Sequence, residues 1–166
     1  MSDQHRFDRT ILREYDIRGI VGQSLDPNVA ALIGHAVGTV MQEKGLQDIV
    51  IGRDGRLSGQ MLVDGLVEGL RKAGRNVIDI GMVPTPVVYF GAYHLRTGTC
   101  ISVPGSHNPP DYNGFKIVIA GETLSGEAIV DLYHRIVEHR LHASGTYGTV
   151  SSRDISDDYV YRISTD

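Results

Sequence analysis

Apolar residues occur along the chain in two patterns, and their alternation predicts strands that alternate with helices. Continuous short apolar runs are typical of buried strands, and they occur at residues 48–52, 76–80, 99–103 and 114–119. Apolar residues three and four positions apart predict amphipathic helices, which are expected to begin near Asp26, Ser58, Pro86 and Ser125. An interleaved apolar and charged stretch at residues 11–22 predicts extended chain before the first helix.

The first helix has the clearest end signals. Asp26 can accept a hydrogen bond from the first turn, and Pro27 suits the first helical position. Gly45 is the expected stop, because glycine adopts the left-handed conformation that often ends a helix. We therefore predict a helix between Asp26 and Gly45.

This order of elements predicts a three-layer α/β/α domain with a mixed, mostly parallel sheet. The strand around Phe115 is expected to run antiparallel to the strand at residues 99–103 and to form an edge of the sheet. Residues 1–150 are assigned to this domain. Residues 151–166 are interpreted as a linker and the truncated start of a second domain.

Composition and charge exclude several classes of function. The 166 residues carry a net charge of -4 and no run of basic residues, so no nucleic-acid partner is expected. No apolar stretch is long enough to span a bilayer, and the N-terminus has no signal-peptide pattern. One cysteine excludes a disulfide framework. A cytoplasmic protein without membrane contact is the expectation.

Three loops follow the predicted parallel strands, and ligands bind beyond the carboxyl ends of such strands. The loop at residues 104–110 (PGSHNPP) is stiffened by its prolines and carries Ser106, His107 and Asn108. Lys116 lies in the strand that follows, and Arg18 lies in the early extended stretch. As separate residues, these also suit ordinary turn and surface positions. Together they form a candidate site.

Phosphoryl transfer explains this set of side chains better than hydrolysis does. A nucleophile elbow requires G-x-S-x-G, whereas Asn108 occupies the position of the second glycine. Lys116 could act as a general acid or base, and Arg18 could bind a phosphoryl group. The loop GRDGRLSG lacks the P-loop pattern, and its residues Arg53, Asp54 and Arg56 are interpreted as pairing with one another to shape the loop.

Several motifs in the chain resemble those of the α-D-phosphohexomutases, especially the bacterial phosphomannomutase/phosphoglucomutase type. These are SHNP at residues 106–109, DYNGFK at 111–116 and YDIRG at 15–19, with the GRDGR and TP loops between them. The resemblance covers about residues 11–140 and implies the same α/β domain.

The resemblance also implies roles for the residues. Ser106 would be carried as phosphoserine and would exchange its phosphoryl group with a hexose 1- or 6-phosphate through a hexose 1,6-bisphosphate. Lys116 would be the general acid/base, assisted by His107 and Arg18, while Tyr15 and Asn108 would contact substrate. Mg²⁺ would bind an oxygen of the phosphate on Ser106, with its other ligands in a second domain.

Two departures from the family pattern define the alternatives. Pro104 replaces the family's threonine, which removes a hydroxyl and a backbone N–H two residues before Ser106. The chain also resembles only the first of the family's four domains, so we expect the remaining domains to be its partners and the fragment alone to be inactive. The alternatives are a phosphoglucosamine or glucose-specific mutase domain and a non-catalytic phosphate-binding or regulatory module.

Overall fold

The structure is a computed structural model, and it describes residues 7–55, 58–104 and 112–155. Strands and helices alternate through these ranges, as the apolar patterns predict. The strands are β1 (Ile17–Ile20), β2 (Asp48–Arg53), β3 (Asn76–Met82), β4 (Cys100–Val103), β5 (Tyr112–Ile119), β6 (Glu122–Thr123) and β7 (Val150–Ser152). The helices are α1 (Pro27–Glu43), α2 (Ser58–Lys72), α3 (Thr85–His94) and α4 (Glu127–Val137).

The strands form one mixed sheet in the order β1-β5-β4-β2-β3-β7, with β6 paired to the end of β5. Strands β4, β2, β3 and β7 are parallel, whereas β5 is antiparallel to both of its neighbours, β4 and β1. The predicted fold class is therefore confirmed.

The predicted edge position of the Phe115 strand is wrong. Strand β5 lies inside the sheet because β1 covers its outer side, and Ile17 is the register partner of Phe115. Local sequence patterns cannot reveal a pairing between strands this far apart in the chain. The early extended stretch therefore supplies an edge of the sheet.

The two faces of the sheet are covered unequally. One face, here called the three-helix face, packs side chains such as Ile51, Ile101 and Phe115 against α1, α2 and α4 in the main core. The opposite face, here called the α3 face, packs Val50 and Cys100 against α3 in a smaller second core. Side chains alternate between the faces along each strand, which explains why neighbouring residues enter different cores.

Local end signals account for α1. The Asp26 side chain accepts a hydrogen bond of 2.8 Å from the Val29 N–H, and Pro27 begins the helix. Gly45 follows with a φ of 74°, so the predicted stop is confirmed. For α4 the expected start at Ser125 is wrong: the N-cap is Gly126, whose N–H donates to the Glu14 carbonyl at 2.7 Å. A long-range contact thus fixes where α4 begins.

The boundary predicted between residues 150 and 151 falls inside β7. Val150, Ser151 and Ser152 pair in register with β3, and Ile155 is buried in the second core. Residues 151–155 therefore pack as part of the α/β domain. None of the helices in the described ranges is long and apolar enough to cross a membrane.

Candidate functional site

Three parallel strands end side by side, and their ends define the candidate site. Arg53 at the end of β2 is the register partner of Met82 on β3 and of Val103 on β4. The Val83 N–H donates to the Arg53 carbonyl at 2.7 Å. This hydrogen bond holds the first residue after β3 beside the end of β2. The predicted convergence of the three loops at one edge is confirmed where the structure describes them.

The predicted nucleophile loop follows Pro104, the last residue described before residue 112. Ser106, His107 and Asn108 therefore lie outside the described residues. Their roles stay predictions from sequence.

Lys116 and Arg18 reach the same pocket. Strand β5 holds Lys116 opposite Ser102 of β4, and β1 places Arg18 opposite Gly114. Because positions 114 and 116 of one strand face the same side, both cationic residues lie on the α3 face. The pocket has a volume of about 180 Å³, and its described lining is Asp16, Ile17, Arg18, Thr85, Pro104, Gly114, Phe115 and Lys116.

The pocket carries an excess of positive charge. An Arg18 Nη donates to an Asp16 carboxylate oxygen at 3.1 Å, which leaves the rest of the guanidinium available. Within the described ranges, no side chain forms an ion pair or hydrogen bond with the Lys116 ammonium. Two cations and one carboxylate in a small pocket favour an anionic ligand.

Gly114 permits the close approach of β1 that brings Arg18 to the pocket. A Cβ at this position would collide with the carbonyl oxygen of Ile17. The neighbouring Asn113 is fully buried; its Oδ1 accepts from the Gly114 N–H, and its Nδ2 donates to Ser58 Oγ, both at 2.8 Å. Sequence reasoning missed this hydrogen bond between β5 and α2; the available signal was an asparagine followed by glycine at the start of an apolar run.

Tyr15 is not brought to this pocket. Its side chain is 70% exposed, and it is not among the described residues that line the cavity. Its contact with substrate stays a prediction from the sequence.

In the loop after β2, Arg53 bonds to the backbone of Asp54, and its predicted pairing with the Asp54 and Arg56 side chains stays a prediction. Arg53 Nη1 donates to the backbone carbonyl of Asp54 at 3.3 Å, and Arg53 Nε donates to Gln60 Oε1 at 3.1 Å. Arg56 lies outside the described residues. Arg53 thus braces the start of α2 against the end of β2.

A hydroxyl pair beside the pocket was also missed. Thr85, the first residue of α3, lies with its Oγ1 3.0 Å from Ser102 Oγ. Ser102 is 1% exposed and lies opposite Lys116. A single polar residue within the apolar run of β4 was the sequence signal.

The described residues do not form a metal site. No group of three or more His, Cys, Asp and Glu side chains in the described ranges could hold a metal ion. Mg²⁺ prefers several oxygen ligands, and the described pocket offers one carboxylate, that of Asp16. These residues alone do not fit a resident Mg²⁺.

Comparison with known proteins gives a consistent match over nearly the whole chain. The family model described as "Phosphoglucomutase/phosphomannomutase, alpha/beta/alpha domain I" matches residues 9–163. A phosphoglucomutase of Neisseria meningitidis serogroup B is 46% identical over 93% of this chain, which covers 34% of that protein. A phosphomannomutase/phosphoglucomutase of Pseudomonas aeruginosa is 49% identical over 95% of this chain, again covering 34% of that protein.

A solved structure shows the same fold. A phosphoglucomutase/phosphomannomutase family protein from Burkholderia thailandensis superposes with a TM-score of 0.92 at 46% identity. The match covers 96% of this chain and 36% of the solved chain. The chain thus spans about a third of the length of these relatives.

Proposed function

The chain belongs to the phosphoglucomutase/phosphomannomutase family as its α/β/α domain I, and from that premise we propose that it is the phosphoserine-bearing domain of a phosphohexomutase. The full protein would interconvert hexose 1-phosphates and hexose 6-phosphates of mannose and glucose. Ser106 would carry the phosphoryl group between turnovers.

In the forward half-reaction, the bond between phosphorus and Ser106 Oγ breaks while a bond forms between phosphorus and a sugar hydroxyl oxygen. The hydroxyl loses its proton and the serine oxygen gains one, so a nearby acid/base is needed. We assign that proton transfer to Lys116, with His107 and Arg18 holding the charged oxygens. The bisphosphorylated sugar then returns its other phosphoryl group to Ser106 by the reverse step.

The observation that carries this proposal is the pocket shared by Arg18 and Lys116. It lies where β4 delivers the chain through Pro104 into the segment that contains Ser106. Phosphoryl transfer depends chiefly on positioning and on positive groups around the transferring oxygens. A small cationic pocket next to the predicted nucleophile segment supports that chemistry.

Mg²⁺ is proposed as a cofactor of the full protein, where it would neutralise charge on the phosphoryl group. Its ligands other than a phosphoserine oxygen would come from a second domain, as the family resemblance implies; no group of three or more His, Cys, Asp and Glu within residues 7–55, 58–104 and 112–155 could supply them.

The direct test is the mass of the purified chain before and after exposure to a hexose 1,6-bisphosphate, followed by peptide mapping. We expect one phosphate on Ser106, lost in Ser106→Ala and retained in the control Ser125→Ala. Phosphate on another residue, or none after exposure to the bisphosphate, would contradict Ser106 as the carrier.

We further propose that this chain alone does not turn over hexose phosphate. It spans about a third of the length of its relatives, and the groups that would enclose a sugar are expected in the remaining two thirds. Measured mutase turnover above background in a coupled assay of the purified chain would refute this.

Pro104 favours one alternative, a non-catalytic phosphate-binding module. It lines the pocket yet offers neither hydroxyl nor N–H to a phosphoryl group. Such a module would bind phosphate but never acquire phosphoserine, so the mapping experiment also distinguishes the two functions. A phosphoglucosamine mutase would give the same phosphoserine and would be distinguished by substrate preference in the full protein.

A further inference from the structure

Either oxygen of the Thr85–Ser102 pair could be the donor, and the burial of Ser102 favours one direction. Ser102 Oγ and Thr85 Oγ1 are 3.0 Å apart, and within the described residues neither oxygen has another hydrogen-bond partner. Ser102 is 1% exposed, so its proton would be left unsatisfied if it did not donate to Thr85. A buried unpaired donor is costly, whereas half-buried Thr85 can direct its own proton elsewhere. Within the described residues, the arrangement that satisfies the buried hydroxyl is the one in which Ser102 donates and Thr85 accepts.

This direction leaves the Thr85 proton free to point into the pocket. Thr85 lines the pocket that also contains Arg18 and Lys116. Its oxygen is fixed by Ser102, which lies opposite Lys116 on the neighbouring strand. Directly opposed residues have Cβ atoms about 5 Å apart, so the hydroxyl pair and the ammonium border the same small volume.

Pro104 makes an additional donor necessary at this place. Proline has no N–H and no hydroxyl, and Pro104 lines the same pocket as Thr85. A phosphoryl group has several acceptor oxygens, and each one that is removed from water needs a donor. Thr85 is the uncharged side-chain donor among the described lining residues.

We propose that Thr85 donates a hydrogen bond to a phosphoryl oxygen bound in this pocket, with Ser102 as the residue that holds Thr85 in position. This proposal deepens the proposed function and rests on it for the identity of the ligand as a phosphoryl group. Thr85 is a substrate-contacting residue, and Ser102 is a positioning residue.

The test is a titration of the chain with inorganic phosphate, followed by ¹H–¹⁵N NMR at the amides of Thr85, Gly114 and Lys116. Protein without bound phosphate by mass is used, so that no phosphoserine competes. Thr85→Val removes the hydroxyl and keeps the shape, and we expect the phosphate Kd to rise about tenfold. Thr85→Ser keeps the hydroxyl and should bind within about twofold of the parent.

Thr97→Val is the matched control. Thr97 lies just after the other end of α3, and its Oγ1 donates to the Thr99 carbonyl at 2.9 Å, away from the pocket. This variant loses a half-buried hydroxyl as Thr85→Val does, yet its phosphate Kd should equal that of the parent. A general loss of α3 stability would instead weaken binding in both variants.

Three outcomes of the phosphate titration would overturn the proposed role of Thr85. Unchanged binding in Thr85→Val, equal weakening in Thr85→Ser, or no phosphate-dependent shift at these amides in the parent would overturn it. If Thr85→Val does not fold, Ser102→Ala decides instead, with an expected rise in Kd of a few-fold as Thr85 loses its fixed direction. Should mapping show that Ser106 carries no phosphate, the proposed function fails, but the comparison of Thr85→Val with Thr85→Ser still reports on Thr85.

Discussion

The two faces of the sheet differ in role: the three-helix face forms the main core, and the α3 face carries the pocket. The difference follows from the number of helices that cover each face. In the described residues, the three-helix face contributes to a core of 26 buried residues, whereas the α3 face contributes to a core of eight. The larger core supplies most of the apolar burial that stabilises the fold. The thinner cover on the α3 face leaves room beside α3 for a pocket.

Of the described candidate side chains, Lys116, Arg18 and Ser102 lie on the α3 face. Lys116 and Ser102 alternate with Ile117 and Ile101, whose side chains enter the main core on the other side. Arg18 likewise follows buried Ile17. In each strand, a residue buried in the main core neighbours a polar residue on the α3 face. Packing on the three-helix face therefore fixes the position of the polar side chains on the α3 face.

The largest expected effect is on the labelling of Cys100, which tests whether α3 alone excludes a thiol reagent from the α3 face. Cys100 is the single cysteine and is fully buried on this face, and burial raises the pKa of its thiol from 9.0 to about 12. This makes the reactive thiolate about a thousandfold rarer at neutral pH. We expect a chromogenic disulfide reagent to label the native chain at least about a thousandfold more slowly than the chain in concentrated guanidinium chloride.

The control for this labelling is Tyr93→Ala, which widens the entrance without touching the main core. Tyr93 and Cys100 line one pocket of about 330 Å³, and Tyr93 is 70% exposed. Faster labelling in this variant, at unchanged global stability, would show that reagent enters through that pocket. Rapid labelling of the parent chain would instead show that α3 does not seal its face.

A pair of glycine substitutions compares the α1–α2 contact above the three-helix face with the packing of α3 on the opposite face. A Cβ on Gly69 of α2 would collide with the Ala31 carbonyl oxygen and the His35 nitrogen of α1, which are backbone atoms that cannot give way. A Cβ on Gly91 of α3 would meet only the side-chain tip of Ile155, at 2.9 Å, and more distant atoms. The three-helix face should therefore tolerate an added methyl group much less well.

We expect Gly69→Ala to lower the free energy of unfolding by about 2–4 kcal/mol in urea titrations. Gly91→Ala should stay within about 1 kcal/mol of the parent, because the gain in helix propensity offsets the shift of Ile155. Gly145→Ala is the reference, since an added Cβ would meet no heavy atom within 4 Å apart from those of residue 145 and its two chain neighbours. If Gly69→Ala and Gly91→Ala lowered the free energy of unfolding equally, the inferred difference in packing between the two faces would be wrong.

Sequence predicted those features that are set by neighbouring residues. The ends of α1 follow from Asp26, Pro27 and Gly45, whose effects are local. The convergence of three strand ends follows from the repeated strand–helix order. These signals gave the fold class and the edge of the sheet where the site lies.

Features set by distant partners could not be predicted. The pairing of Ile17 with Phe115 and the hydroxyl pair of Thr85 with Ser102 exist only after strands and helices have packed. Lys116 and Arg18 were identified as residues, but their common pocket depends on Gly114 admitting β1. Ser106, His107 and Asn108 lie outside the described residues, so their roles stay predictions.

The smallest expected effect is a pH dependence located in the helix layer of the three-helix face. His35 of α1 is half-buried, and its Nε2 lies 2.7 Å from the His142 carbonyl oxygen, so Nε2 carries a proton and donates. Burial is the main cause that lowers the His35 pKa, the hydrogen bond opposes it, and Lys72 and His142 add smaller lowering effects. Asp64 and Glu68 of α2 line the same groove.

Because the folded chain holds the His35 proton less tightly than the unfolded chain, acidification favours unfolding. The free energy of unfolding should decline as pH falls below about 6.5, the ordinary His value, and continue to decline down to the lowered pKa. His35→Gln keeps an N–H donor and removes the titration, so the melting temperature should lose this part of its pH slope between about pH 7.5 and about pH 5.5. Replacement of exposed His139 by Gln is the matched control. An unchanged slope in His35→Gln would mean that the pKa of His35 is the same in the folded and unfolded chain. The dense packing inferred for this face would then not extend to the groove between α1 and α2.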